Sequence, residues 1–500
     1  FDKRQDLAVL GGAFELVGSH GQRGVIVRLP EDDAAIKSKL SSANCLAHPT
    51  VMVRKDILAE MGGYRGQFVH AEDYDLWLRI AERHVLANLA EPILRYRFHR
   101  NQVSFQDARQ QAFSALGARF AAEQRRQRGI DPFEHTGCIT ENVLIRSGLG
   151  EEEIERAVWC GFVQQIETAA RVGEHAIHRY LPCDPETKPS QRPADRETSR
   201  VPKVSIIVPC YNQARFLADA LDSVLAQTEQ DWECIVVNDG STDGSRELAA
   251  RYAELDGRFR YIEQNNQGVG AARNAGLRAS HGRYIQFLDA DDALFPRKIS
   301  SQLAVLKGET APALVYCDYY RAEGARLGGI AAHHLSGPRL VMSNPLLDMA
   351  ARWETELSIP IHCMLFDARF FKELAIHFDE HLPTHEDWDC WMQILRLNPV
   401  VKHVAKKMAV YRIHKESMCK DAVKMRSGFD EAIEKQLGLF RRDPDLRRVL
   451  QRKRREMQRH YLRRTRKIAH LTVCKWAQRA VRQYVPWPMQ KMIGRIVALD

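Results

Sequence analysis

From residue 204 onward, short apolar runs rich in β-branched residues alternate with amphipathic stretches of 10–12 residues. VSIIVP at 204–209, WECIVVND at 232–239, FRYIEQ at 259–264 and YIQFLDADD at 284–292 predict four strands. FLADALDSVLAQ at 216–227, SRELAARYAEL at 245–255 and AARNAGLRAS at 271–280 predict the helices between them. This alternation predicts an α/β fold with a mostly parallel, doubly wound sheet and flanking helices, in which ligands bind at the carboxyl ends of the strands. Upstream, residues 106–182 have helical periodicity, and residues 183–203 carry four prolines without any apolar period, which predicts an exposed linker.

A second pattern is longer in range. AEDYDLWLRI at 71–80 returns as HEDWDCWMQI at 385–394. Asp73 is followed 26 positions later by His99, and Asp387 is followed 27 positions later by His414. AHPTVMVRKDIL at 47–58 is echoed by PIHCMLFDARFF at 360–371, and DLAVL at 6–10 by QLAVL at 302–306. Four landmarks in one order, roughly 300 residues apart, predict a duplicated domain rather than a solenoid, whose period is about 20–50 residues.

Composition adds limits. Five hundred residues allow two to four domains with full cores. The eleven cysteines are scattered singly, and Cys210 and Cys234 sit in apolar runs, which points to core thiols in a reducing compartment. Net charge is +9, but residues 421–500 hold 21 Lys and Arg against 8 Asp and Glu, so the other 420 residues sum to −4. Basicity confined to one tail argues against nucleic acid as a partner of the whole chain. No apolar run approaches the roughly 20 residues that span a bilayer, and no signal peptide is visible. The first residue is Phe1 rather than Met, which leads us to expect a cut or incomplete N-terminus.

Chemistry clusters at the predicted strand ends. CYNQ follows the first strand, DGSTDGS the second, NNQGVGAARNAG precedes the third helix, and DADD closes the fourth strand. A carboxylate at Asp239 can accept the imide N–H of a uracil or thymine, with Tyr211 as a stacking face; the plainer alternative is that Asp239 and Ser241 shape a turn and cap a helix. Gly268 and Gly270 let backbone approach a ligand, and Arg273 and Asn274 then open a helix. Asp289 and Asp291 can face one hard cation, Mn²⁺ or Mg²⁺, that also binds diphosphate oxygens. Three packed acids, Asp289, Asp291 and Asp292, are expected to repel one another without such a cation. In HEDWDC a carboxylate beside Trp388 and Trp391 is expected to be desolvated and so more basic, while capping of the following helix is the alternative.

VSIIVPCYN, VVNDGSTDGS, NQGVGAARNAG, FLDADD and HEDWD, in this order over residues 203–420, resemble the family 2 glycosyltransferases, inverting enzymes of the GT-A fold. The resemblance implies a nucleotide-sugar site at Pro209, Tyr211, Asn212, Asp239, Ser241, Gly268, Arg273, Asn274 and Asp289. It implies a DxD metal motif at Asp289 and Asp291, with His414 as a late metal or phosphate contact. It makes Asp387 the general base, with Glu386 orienting the acceptor or capping the helix. His414 as an ordinary surface histidine is the alternative, weakened by its counterpart His99.

The expected activity is therefore metal-dependent transfer of a sugar from a UDP- or dTDP-sugar to a glycan or lipid-linked acceptor, in bacterial-type cell-surface polysaccharide synthesis. A nucleotidyltransferase with the same acidic site and a non-catalytic carbohydrate-binding scaffold are the competing readings. The resulting division is a C-terminal half of a first transferase-like domain at 1–105, a helical connector at 106–182, a linker at 183–203, a complete domain at 204–420 and a basic helical tail at 421–500. Residues 1–105 carry Glu72, Asp73 and His99 but no counterpart of the nucleotide or DxD motifs. The tail, cationic with interspersed Trp, Met and Ile, suits either a membrane surface or packing on the catalytic domain. The expected location is cytoplasmic, with peripheral contact at the inner face of the membrane as its extension.

Overall fold

The computed structural model describes residues 4–17, 24–97, 107–171, 201–323, 339–341 and 343–463. His99, linker residues 183–200 and tail residues 464–500 lie outside the described residues.

Two sheets organise the chain. The second has eight strands: β5 (Val204–Cys210), β6 (Trp232–Asp239), β7 (Phe259–Gln264), β8 (Tyr284–Phe287), β9 (Ala293–Leu294), β10 (Ala313–Glu323), β11 (Met364–Asp367) and β12 (Val400–Ile413). Their order is β7-β6-β5-β8-β11-β10-β12-β9. The first four pair in parallel, β11 runs antiparallel to β8 and β10, and β10 and β12 are again parallel. Every residue of β5 and β6 is buried, as expected of strands covered on both faces. The helix Ala214–Leu225 covers one face with Phe216, Leu217, Leu221 and Val224. The chain runs outward from β5 to β7 and returns to β8 on the other side of β5, so a crevice opens at the carboxyl ends of β5 and β8. The fourth predicted strand is shorter than its pattern: β8 ends at Phe287, and Asp289 to Asp292 form the turn into β9.

The first sheet holds β1 (Leu7–Val17), β2 (Val25–Val27), β3 (Met52–Val53) and β4 (Val85–Arg97). β1 pairs antiparallel with β3 and parallel with β4, just as β10 pairs antiparallel with β11 and parallel with β12. A 3₁₀ turn precedes the short strand in each set, His48–Thr50 and Ile361–Cys363. The helices Glu72–Ala81 and Glu386–Arg396 occupy the same place before the last strand. One sequence echo is corrected. QLAVL lies on the helix Lys298–Leu306, whereas DLAVL runs into strand β1. The pairing partners show that Val9 and Leu10 correspond to Leu314 and Val315, because they face Val53 and Met52 as the latter face Phe366 and Leu365. Similar composition on a helix and a strand produced the false match.

The helices Ala108–Arg128, Glu141–Arg146 and Glu151–Arg171 join the two sheets. Trp159 stacks on Phe295 at 4.6 Å, and Arg297 forms a two-pronged pair with Glu141, 2.9 Å on each side. The tail does not begin as a separate element. The helix Ala422–Leu439 and the helix over residues 444–463 put Phe429, Ile433, Leu450, Met457 and Tyr461 into the same core as the eight-stranded sheet. Their spacing of four and seven residues presents one apolar face, which fixes them on the sheet despite their charge. Among the described residues, no helix is long and apolar enough to cross a membrane.

Candidate functional site at the strand ends

Asp239 ends β6 and is buried. Its carboxylate accepts the backbone N–H groups of Gln267 and Gly268, at 2.9 and 2.8 Å, and the Gln264 amide at 2.8 Å. Three donors leave about one of its four acceptor positions for a ligand. Gly240 beside it has φ +74°, and a Cβ there would stand 2.8 Å from the Asn266 nitrogen. That contact is why a glycine follows the aspartate.

Asn212 and Ser241 tie the first two strand ends together. The Asn212 N–H donates to Ser241 Oγ at 2.9 Å, and Asn212 Oδ1 accepts from the Thr242 N–H at 2.7 Å. Tyr211 remains exposed at the rim, 48% accessible. Pro209 is buried inside β5, and the Asn274 amide is engaged with the Phe378 backbone and with Glu380. These two shape the crevice from behind, unlike the exposed ring of Tyr211. Gly268, at φ +92°, precedes the helix Val269–Ala279.

Arg273 is the centre of the arrangement. It is buried, and its guanidinium donates to Asp289 Oδ1 at 2.8 Å and to Glu386 Oε1 at 2.5 Å. Burial opposes its charge, but Asp289, Glu386 and Asp387 together outweigh that and raise its pKa. A helix from the amino-terminal half of the sheet is thus locked to a helix 113 residues later.

Asp387 lies in the first turn of the helix Glu386–Arg396, where its Oδ1 accepts the Trp388 N–H at 2.7 Å. It keeps some open surface, yet its surroundings push its pKa up to about 7. Burial is the main cause and Glu386 adds to it, while Arg273 and His385 pull the other way. A carboxylate tuned to that range is suited to general-base work near neutral pH. Trp388 and Trp391 are both fully buried behind it.

The acids of DADD do not share one partner. Asp289 pairs with Arg273, Asp291 with His414 Nε2 at 2.9 Å, and Asp292 with His362 Nδ1 at 2.9 Å. Each has a neighbouring base, yet burial and the charges of Asp291 and Asp289 still push the Asp292 pKa up to about 7 against the pull of His362. A divalent ion still fits. The 2.9 Å between Asp291 Oδ2 and His414 Nε2 is close to the edge between adjacent ligands of one ion at ordinary bond lengths. Glu416 holds the other ring nitrogen of His414 at 3.0 Å, the orienting contact common around metal-bound histidines. His414 is raised above its usual pKa, chiefly by the bond to Asp291. Asp289, Asp292 and His362 form a second grouping, with ligand atoms within 4.8 Å of one another.

Several site residues escaped the sequence reading. Asp292 also receives the Arg412 N–H at 2.7 Å, and Arg412 reaches Asp219 at 2.7 Å. His362 stands in the repeated segment PIHCMLFDARFF, one position out of register with His48 of AHPTVMVRKDIL, so the echo marks the segment but not the histidine. His385, Glu354 and Tyr461 surround the back of the Glu386–Asp387 turn, and nothing local in the sequence marks them as a set.

In the first half, Asp73 repeats the local geometry of Asp387, its Oδ1 accepting the Tyr74 N–H at 2.7 Å. Its other oxygen accepts from Asn44 at 3.1 Å. A cavity of about 1290 Å³ lies there, bounded by Asn44, Asp73, Tyr96 and Arg119 rather than by any strand end of the larger sheet.

Residues 205–374 match the family described as Glycosyl transferase family 2. The glycosyltransferase EpsJ of Bacillus subtilis is 31% identical over 240 residues, which take in 47% of this chain and 68% of that protein. A glycosyltransferase of Rickettsia felis is 34% identical over 202 residues, 40% of this chain and 32% of the relative, so the match spans about a third of that relative's length. A solved structure of S. aureus TarS 1-349 with UDP is 17% identical at a TM-score of 0.37, covering 47% of this chain and 65% of that one.

Proposed function

The chain belongs to glycosyl transferase family 2, and from that premise we propose that residues 204–420 transfer a sugar from a UDP- or dTDP-sugar to a hydroxyl of a glycan or lipid-linked acceptor, with inversion. The observation that carries this is the line Asp289–Arg273–Glu386, with Asp387 beside it, at the carboxyl end of the sheet. It joins a donor-side carboxylate to the carboxylate that adjoins the proposed base through one buried guanidinium.

Asp387 takes the proton from the acceptor hydroxyl as that oxygen attacks the anomeric carbon. Glu386, held by Arg273, keeps a second carboxylate beside the base and raises its basicity. Tyr211 offers a face for the donor base, and Asp239 keeps one acceptor position for an imide N–H. Asp289, Asp291 and His414 are the residues to hold Mn²⁺ or Mg²⁺. When bound, the ion stabilises the charge of the departing diphosphate.

The recurrent strand pairing supports reading residues 1–105 as a second copy of the acceptor half. A polysaccharide pathway at the cytoplasmic face of the membrane fits the absence of a membrane-crossing helix among the described residues together with the basic tail. The test is nucleotide release by the full chain from a panel of UDP-, dTDP- and GDP-sugars, with Mn²⁺ or with chelator. Metal-dependent release of uridine or thymidine diphosphate supports the proposal. Pyrophosphate release from a nucleoside triphosphate would point to a nucleotidyltransferase instead, and binding without turnover to a scaffold.

A further inference from the structure

His385 is a demanding residue. It immediately precedes Glu386 and Asp387, has φ +65°, and is buried. A left-handed backbone in a non-glycine residue is unfavourable unless its surroundings enforce it. Here they do. Nδ1 lies 2.8 Å from Thr384 Oγ1, and Nε2 lies 3.0 Å from Glu354 Oε1. Glu354 is itself left-handed, at φ +56°. Its second oxygen accepts the hydroxyl of Tyr461, which also stands 3.4 Å from His385 Nε2.

Tyr461 belongs to the helix over residues 444–463, far outside the matched family segment. The same helix supplies Lys453, buried, whose ammonium donates to Thr355 Oγ1 at 2.7 Å. The neighbouring helix Ala422–Leu439 closes the other side. A Cβ on Gly428 would fall 2.0 Å from Thr384 Oγ1, and Phe429 meets the His385 ring edge-on at 5.3 Å. Two tail helices therefore grip the turn that carries the two acceptor-side carboxylates.

We propose that the helix over residues 444–463 is a working part of the transferase site, in which Tyr461 fixes Glu354, Glu354 fixes His385, and His385 sets the position and charge environment of Asp387. These three are positioning residues. The inference rests on reading Asp387 as the base. His385 adjoins it with a positive charge when protonated. Burial opposes that charge, but the bond to Glu354, reinforced by Asp387 and Glu386, keeps the pKa raised. The titratable groups facing His385 are thus Glu386 and Asp387 on its own helix, Glu354 from the loop, and Tyr461 from the tail helix, with Lys453 on the far side of Glu354.

The experiment follows the histidine ring signals of the full chain, labelled with ¹⁵N-histidine, as pH is varied. His385→Gln assigns the signal. In Tyr461→Phe and in Glu354→Gln the His385 pKa is expected to fall by about one unit. Leu450→Ala, in the core on the same helix, is expected to lower the melting temperature without moving that titration. An unchanged titration in Tyr461→Phe overturns the proposal, as does an equal shift in Leu450→Ala. Asp387→Asn, assayed for nucleotide release on the donor panel, separates the premise from the inference. Lost turnover with an unmoved His385 overturns the inference alone, whereas retained turnover overturns the base assignment and the inference together.

Discussion

The helices Glu72–Ala81 and Glu386–Arg396 are nearly the same local object. Each carries a Glu-Asp pair in its first turn, and each aspartate accepts the amide that follows it at 2.7 Å. Each buries a tryptophan, Trp77 and Trp391, and each has a fully buried second aspartate held by cations, Asp75 by Arg65 and Arg79, Asp389 by Lys435. They differ in what faces the carboxylates. Glu386 receives a guanidinium from Arg273 in the donor half, and the DADD acids stand behind it. Among the described residues, Asp73 has no guanidinium partner: it receives the Tyr74 N–H and the Asn44 amide and borders a cavity, although burial and Glu72 raise its pKa too. The comparison teaches that the repeated signature builds a platform. On the function proposed for residues 204–420, catalytic capacity would come from the neighbour that the platform is given.

The largest effect should separate the two aspartates. Asp387→Asn is expected to cut sugar transfer by roughly 10²–10⁴-fold, the usual worth of a general base, while Asp73→Asn leaves it unchanged. Steady-state rates on the identified donor would decide, and comparable losses in both variants would break the comparison. Next comes the neighbour. Arg273→Met removes the link between Asp289 and Glu386, and about a 100-fold loss is expected from the loss of one preorganised charge. Melting of that variant should stay cooperative.

The platforms themselves should differ in stability. Asp75→Ala removes a carboxylate shared by two largely buried guanidiniums. Arg65 keeps Asp131 and Arg79 keeps the Gly63 carbonyl, yet two charge pairs are lost at once and about 3 kcal/mol is expected to go with them. Asp389→Ala should cost about 1–2 kcal/mol, because Lys435 retains Asp379 and is 32% exposed. Urea unfolding of the two variants checks that ranking. The smallest effect is on pH dependence. Asp387 binds its proton more tightly folded than unfolded, so its contribution to stability is complete below pH 4 and falls as pH rises toward about 7. Asp387→Asn removes that fall and should be the more stable protein at pH 8, by on the order of 1 kcal/mol or more. Equal melting temperatures at pH 8 would argue against a desolvated carboxylate there.

Much of the catalytic half was legible from local pattern. β6 and β7 begin and end where the pattern predicts, although β6 is buried along its length and β7, at the sheet edge, only at Phe259. The alternation of strand and helix marks where each strand emerges at the edge of a parallel sheet. Asp239, Tyr211 and Asp289 could be placed at one edge for the same reason. The partnership of Arg273 could not, since the residue that receives its charge lies 113 positions later. Nor could the separate pairing of Asp289, Asp291 and Asp292, whose bases come from three different elements.

What the sequence by itself determined is therefore the order of strands and helices, the duplicated signature and the edge where chemistry collects. These follow from the period of apolar residues, a property of neighbours in the chain. Tertiary structure decided which carboxylate meets which base, that Asp387 stands near Arg273 and His385 whereas Asp73 takes the Asn44 amide, and that Tyr461 of a basic tail stands behind the site. Burial and charge act through space at a few ångströms, and residues that close can be a hundred positions apart.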